Sequence, residues 1–280
     1  MLLRPILIGL VIALGTPLKA ARPWLPFEEQ WIANVSFSYT TFDEFYQGTT
    51  KVKLADEQEE FRTLVGVEYG LNDSIAFDVT LGYSVATFDP NPNGDQHGLD
   101  DTRLGVRWRF LNEDYFEEEW IPTLTMRVGA IIEGTYEVQT NGATNSVGDG
   151  ASGAEVELAW GKRFDSIGFG FYGAAGFRAR NENVPEDFLL NLGIYKNIID
   201  EVTLTFSYRR QQSLSGLDIG GPGFTPDRFP ELKEISDTIN GGIYYNSPHG
   251  HSYGFTLGHV LDGRNVGDKF IFQVSTTFRF

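Results

Sequence analysis

Arginines and carboxylates recur at every second position through much of this chain, and that spacing decides what chemistry they can do. Arg103, Arg107 and Arg109 share one parity around Gly105, and Arg127 and Glu133 share one in the next run. Arg62 with Glu68, Asp78, Glu155 with Glu157, Arg178 with Arg180, Arg209 and Arg279 follow the same rule in theirs. In an extended strand alternate side chains point to opposite faces. Each of these charges therefore shares a face with Ser, Thr, Asn and Gly, and stands opposite Phe, Val, Leu and Tyr. A charge facing hydrocarbon near a bilayer midplane costs about 2–4 kcal/mol, so this many on one parity require a wet or mutually paired interior. The chemistry is electrostatic. Either a charged lumen lets solutes pass, or a salt-bridge lattice plugs a closed barrel. We expect the arginines of the fourth and fifth runs to form a basic ladder on one wall, with Glu68, Asp78, Glu155 and Glu157 on flanking walls.

Catalytic constellations are sparse. The four histidines are His97, His249, His251 and His259, and there is no cysteine, which excludes disulfides, Cys-ligated metals, a thiol nucleophile and a Cys lipid anchor. A lipid-cleaving barrel enzyme would need His-x-Ser with a nearby Asn. Here His251 and Ser252 are adjacent and would point to opposite faces, and Leu261 stands two positions after His259. His97 lies near Asp95, Asp100 and Asp101, as an Asp/His surface protease would have it, but polar loop composition accounts for the grouping. Asp89, Asn91, Asn93 and Asp95, with Gly94 and then Asp100, follow the spacing of a Ca²⁺ loop with Asp in place of the closing Glu. Pro, Asn and Gly are equally the default residues of a plain loop, and no other cofactor is called for. The acidic runs Asp56–Glu60 and Glu113–Glu119 read as solvated loop faces.

The elements that must hold these residues are strands. Trp31, Ala33, Val35, Phe37 and Tyr39 alternate with Asn34, Ser36 and Ser38, and Ile75, Phe77, Val79, Leu81, Tyr83 and Val85 alternate with Asp78, Thr80 and Ser84. Period two of this kind marks strands with one apolar and one polar face. Twelve such runs fall near 30–41, 60–70, 75–87, 101–111, 121–133, 154–164, 168–180, 187–197, 201–212, 234–246, 252–261 and 269–280, with ten or fourteen strands as the alternatives. Connections after the even runs are short or fairly short. Those after runs 1, 3, 5, 9 and 11 are mostly longer, including 42–59. This asymmetry is that of bacterial outer-membrane barrels, whose short turns face the periplasm. Trp24, Trp31, Trp108, Trp120 and Trp160 all fall toward the turn side, as a periplasmic interface girdle would place them. Tyr39, Phe61, Tyr83, Phe177, Phe188 and Tyr208 are expected in the outer girdle.

The ends of the chain agree. Arg4 precedes an apolar run of eleven residues, 5–15, and a polar stretch ending in small residues, the layout of a secretory signal cleaved near residue 20. Its removal takes away Arg4 and Lys19 and moves the formal charge from −16 to −18. So acidic a chain repels phosphate, which excludes nucleic acid as a partner. The last run alternates through Phe272, Val274, Thr276, Phe278 and Phe280. An alternating final strand ending in Phe resembles the signal read by the barrel-assembly machinery, with Phe278 and Phe280 as its aromatic positions. The expected organisation is a signal peptide over 1–20, a periplasmic N-terminal segment over 21–29, and a single all-β, antiparallel transmembrane barrel over 30–280.

Two stretches carry a family resemblance. Glu68-Tyr69-Gly70-Leu71-Asn72-Asp73-Ser74, followed after a strand and a loop by Gly98-Leu99-Asp100-Asp101-Thr102-Arg103-Leu104-Gly105-Val106-Arg107-Trp108-Arg109-Phe110, resembles the transporter, MetA-pathway of phenol degradation-like, family of outer-membrane proteins. It covers residues 60–135. Asp100 replaces the second glycine of the family's glycine-rich strand entry, and the family's proline-threonine-glycine stretch is absent around Gly129–Gly134. The resemblance implies passage of small, including aromatic, compounds. Together these readings give a Gram-negative outer-membrane channel for passive transport of small solutes. Its lumen would be lined by Arg62, Glu68, Asp78, Arg103, Arg107, Arg109, Arg127, Glu133, Glu155, Glu157, Arg178 and Arg209, and its surroundings would be outer-membrane lipid and lipopolysaccharide. A closed structural or surface-interaction barrel and a lipid-modifying enzyme are the competing readings.

Overall fold

A computed structural model describes residues 22–87, 96–118, 120–136 and 147–280. Thirteen strands run in chain order: β1 (Trp31–Gln47), β2 (Thr50–Asn72), β3 (Ile75–Thr87), β4 (Gln96–Leu99), β5 (Thr102–Leu111), β6 (Thr123–Ile132), β7 (Gly153–Phe164), β8 (Phe169–Arg180), β9 (Asp187–Ile199), β10 (Val202–Ser213), β11 (Ile235–Asn246), β12 (Ser252–Arg264) and β13 (Phe270–Arg279). Twelve of them close an antiparallel barrel in sequence order, with β1 paired to β2 on one side and to β13 on the other. The short β4 pairs with the outer half of β3, beyond the end of β5, and the register shifts by one residue at Asp100–Asp101 between them. Closure leaves no unpaired edge, the condition for strands to cross hydrocarbon.

Side-chain parity sorts the two faces as alternation requires. Val65, Leu81, Val106, Val128, Phe206 and Val274 are exposed on the outside. Asn34, Ser36, Thr80, Thr125, Thr203 and Thr277 are buried on the inside. Trp31, Trp108 and Trp120 are exposed near the turn end, and Trp160 lies across Gly173 of β8 on the outer surface. Tyr39, Phe61 and Phe272 cluster at the other interface, with ring centroids 4.9 and 6.2 Å from Tyr39. Trp24 departs from the expected girdle. It lies inside the barrel, as does the segment that carries it.

The expected loop over 42–59 is instead strand. β1 and β2 run on past residue 41 to a two-residue turn, where Gly48 takes φ +56, a conformation that favours glycine. The polar composition of this stretch reflects water on both of its faces, beyond the bilayer. A register shift between Phe42 and Glu44 reorients the extension, so that Phe42, Phe45 and Tyr46 are buried. Its edge is taken up by the chain after β12: Tyr46 N–H donates to the Val266 carbonyl at 2.8 Å and Asp268 N–H to that of Glu44 at 2.9 Å. Gln58 and Glu60 are buried on β2 rather than solvated.

The last residue completes the closure. Phe280 N–H donates to the Trp31 carbonyl at 3.0 Å, and Trp31 N–H donates back at 3.2 Å. The Phe280 ring stays exposed, with the Phe278 ring stacked at 6.4 Å. Changing Phe278 and Phe280 to Asp should leave the pairing partners of β13 intact yet strand the protein in the periplasm. The amount of heat-modifiable barrel in outer-membrane fractions is the readout, and wild-type levels from the double mutant would defeat this expectation.

Candidate functional site: an asymmetric lumen

Inward-facing charges gather on the wall from β2 to β9. At one level the cross-strand register runs Asp78 (β3), Gly105 (β5), Gly129 (β6), Glu155 (β7), Arg178 (β8) and Asp187 (β9). The two glycines sit between two acids, and Arg127 lies over them. A methyl group on Gly105 would come within 2.6 Å of the Arg127 guanidinium and of Asp78, and one on Gly129 within 2.8 Å of the guanidinium. Arg127 Nη2 donates to Asp78 Oδ1 at 2.7 Å and its Nε to Oδ2 at 3.0 Å, while Nη1 reaches Glu155. Arg103 Nη1 takes the other Glu155 oxygen at 3.1 Å. Arg178 binds Asp187 through Nη2 at 2.6 Å and Nε at 3.0 Å. Arg62 meets Asp100 at 2.9 Å and Glu60 at 3.1 Å, and Arg107 meets Glu68 at 2.9 Å.

The expected basic ladder is therefore an interlocked lattice, and Arg103, Arg107 and Arg127 each reach across an intervening strand to a carboxylate two strands away. Two expected lining residues serve elsewhere. Arg109 donates to the Asp73 carbonyl and fastens the β2–β3 turn. Glu133 lies just past β6, exposed, with its backbone N–H on Ser152. Glu157 faces Arg127 in register and makes no ion pair among the described residues. Of the five Ca²⁺-loop residues, 89, 91, 93 and 95 lie outside the described residues, and Asp100 is engaged by Arg62. Ser252 is buried and donates to Asn246 Oδ1 at 2.7 Å, while the His251 ring packs against Phe278 at 5.4 Å.

The opposite wall, from β9 to β13, has another character. Thr205, Ser207, Ser236, Thr238, Asn240 and Thr256 line a cavity of about 240 Å³. Arg209 is the only arginine among its lining residues. Glu234 and Lys269 stand at its outer mouth, and burial beside Asp149 raises the pKa of the Glu234 carboxyl. The lumen is thus braced by paired charges on one side, and on the other holds a cavity lined mainly by hydroxyl and amide groups, with Arg209, Glu234 and Lys269 as its charged members.

At the turn end the lumen is filled. Residues 22–26 run inside the barrel at its turn end. Pro23, Leu25 and Pro26 are buried, and the Arg22 and Pro23 carbonyls accept from Arg107 and from Thr125 Oγ1. Trp24 Nε1 donates to Glu113 Oε1 at 2.7 Å and its ring meets Tyr195 edge-on at 6.3 Å. Glu113, expected on a solvated loop, is buried and also holds Arg163 and Lys162 at 2.9 and 3.3 Å. Inward tyrosines complete the filling: Tyr172, Tyr195 and Tyr244 pack on Gly193, Gly170 and Gly254. A tyrosine on the polar parity, with a glycine on the neighbouring strand's polar parity, is the sequence signal for these positions.

This architecture, a closed antiparallel barrel with an apolar exterior and a polar lumen, is that of an outer-membrane barrel. Its fold is similar to that of an outer-membrane channel from Pseudomonas putida F1, at a TM-score of 0.72 and 14% identity over 95% of this chain and 99% of that one. It is also similar, at a TM-score of 0.52 and 11% identity over 91% and 90%, to the translocator domain of the autotransporter NalP from Neisseria meningitidis. No family model and no curated protein matches the sequence.

The lattice yields a stability contrast. Replacing Arg127 by Gln leaves Asp78 and Glu155 without their shared partner, and breaking a buried pair in this way costs about 3 kcal/mol. Arg209→Gln, at an exposed residue without a partner, should stay within about 0.5 kcal/mol of wild type. Urea unfolding in lipid vesicles measures both, and equal stabilities would remove the lattice from the account.

Proposed function

We propose that this protein is an outer-membrane channel through which small polar solutes cross passively, along the side of the lumen bounded by β9–β13. The observation that carries this reading is the asymmetry of the interior. A barrel closed by its own salt bridges would distribute them around the circumference. Here they crowd the β2–β9 wall and leave a hydroxyl- and amide-lined space on the other. Such a wall exchanges hydrogen bonds with a hydrated solute as water does. Solute then moves without a large desolvation cost or tight binding. The similarity in fold to an outer-membrane channel and the resemblance over residues 60–135 support transport. The latter adds aromatic compounds to the solutes worth testing.

In this reading the 22–26 segment restricts the turn end, since it fills the lumen where Tyr172, Tyr195 and Tyr244 already narrow it. Deleting residues 22–26 should raise single-channel conductance in planar bilayers several-fold over wild type, with the barrel still heat-modifiable. Absence of conductance from both proteins would establish the closed structural barrel instead.

A further inference from the structure

Among the described arginines of the lumen wall, all but one have a partner. Arg62, Arg103, Arg107, Arg127 and Arg178 each bind a carboxylate, but Arg209 makes no ion pair or hydrogen bond among the described residues. It is exposed within the lumen. Its cross-strand neighbours are Asn191 on β9 and Thr238 on β11, and its inward neighbours along β10 are Ser207 and Gln211. All four are uncharged, and all four line the same cavity. A guanidinium always carries its charge and presents several donors in a planar fork that matches a carboxylate. An unpaired one in a confined space, with field lines focused by the barrel wall, holds a standing attraction for an anion.

We infer that Arg209 is the centre of a subsite for a small hydroxylated carboxylate, the class of monosaccharide acids. The carboxylate takes the guanidinium, and the substrate hydroxyls exchange hydrogen bonds with Ser207, Thr238, Asn191 and Gln211. The cavity, at about 240 Å³, falls below the range of about 300–1,000 Å³ usual for drug-sized ligands, which limits the occupant to one small molecule. Hydroxyls along the solute distinguish this class from a simple fatty acid, because the groups next to the charge, Ser207, Thr238, Asn191 and Gln211, all offer hydrogen bonds. The lattice arginines cannot substitute, since their carboxylate partners already occupy the fork.

This assignment rests on the lumen being solvent-accessible and names what the proposed channel recognises, so its test separates binding from conduction. Sodium gluconate, sodium acetate and sorbitol are titrated calorimetrically into the detergent-folded barrel, and single-channel currents are recorded in parallel. Gluconate should bind at least tenfold more tightly than either control, Arg209→Gln should lose at least tenfold in that affinity, and Arg209→Lys should recover part of it. Gluconate binding unchanged in Arg209→Gln would overturn the assignment. So would acetate binding as well as gluconate, or no gluconate binding by a barrel that conducts, and in the last case the channel reading would survive alone. Gluconate binding to a barrel that passes no current would support the subsite and defeat the channel.

Discussion

Arg127 lying across Gly105 and Gly129 is the interaction on which the interior depends. Strands that meet lipid on one face must send every charge to the other, and a charge sent inward must find either water or a partner. On the wall from β3 to β7 it finds a partner. Two glycines at one level remove the side chains that would stand between Asp78 and Glu155, and the Arg127 guanidinium fills the gap. Neither glycine is needed for a turn or for an unusual backbone angle. They are there for the space above them, since a methyl group at either position would displace the arginine.

That clustering fixes the shape of the lumen. Long arginine side chains reaching sideways across one or two strands occupy one half of the cross-section, so the free space moves to the half lined by short hydroxyls. The turn end is filled by a different device. Tyrosines lie against glycines of the next strand, and the 22–26 segment is tied down by backbone carbonyls that accept from Arg107 and Thr125. Arg107 therefore belongs to both systems, with one nitrogen on Glu68 and another on the entering chain.

Parity was legible in the sequence because period two survives any error in strand ends, and it gave the barrel, the inward charges and the outward aromatics. Pairing was not legible. Whether Arg127 meets Asp78 or Glu157 depends on the register and stagger of β3, β5, β6 and β7, which a single sequence does not encode locally. The 42–59 stretch misled for a related reason. Once a strand leaves the bilayer both faces meet water, so Glu44, Lys51 and Lys53 look like loop while they pair as sheet. The buried segment at 22–26 carries two prolines and no periodicity, and its place in the lumen follows from contacts between residues as far apart as Trp24 and Glu113.

The acidity of the chain gives a last instruction in scale. A formal charge of −16 suggests a molecule that turns anions away. Yet part of that acid lies on surfaces outside the barrel interior, as in Asp43 and Asp114, each more than half exposed. Exposed charges separated by more than a Debye length of about 8–10 Å are largely screened. Inside, six arginines face carboxylates held mostly in direct pairs, so the net potential felt by a solute is set by the few groups left over. Of these Arg209 stands on the open side and Glu157 within the braced one. The charge a solute meets on the open side is therefore set by Arg209, with Glu234 and Lys269 at the mouth, and not by the formal charge of the whole protein.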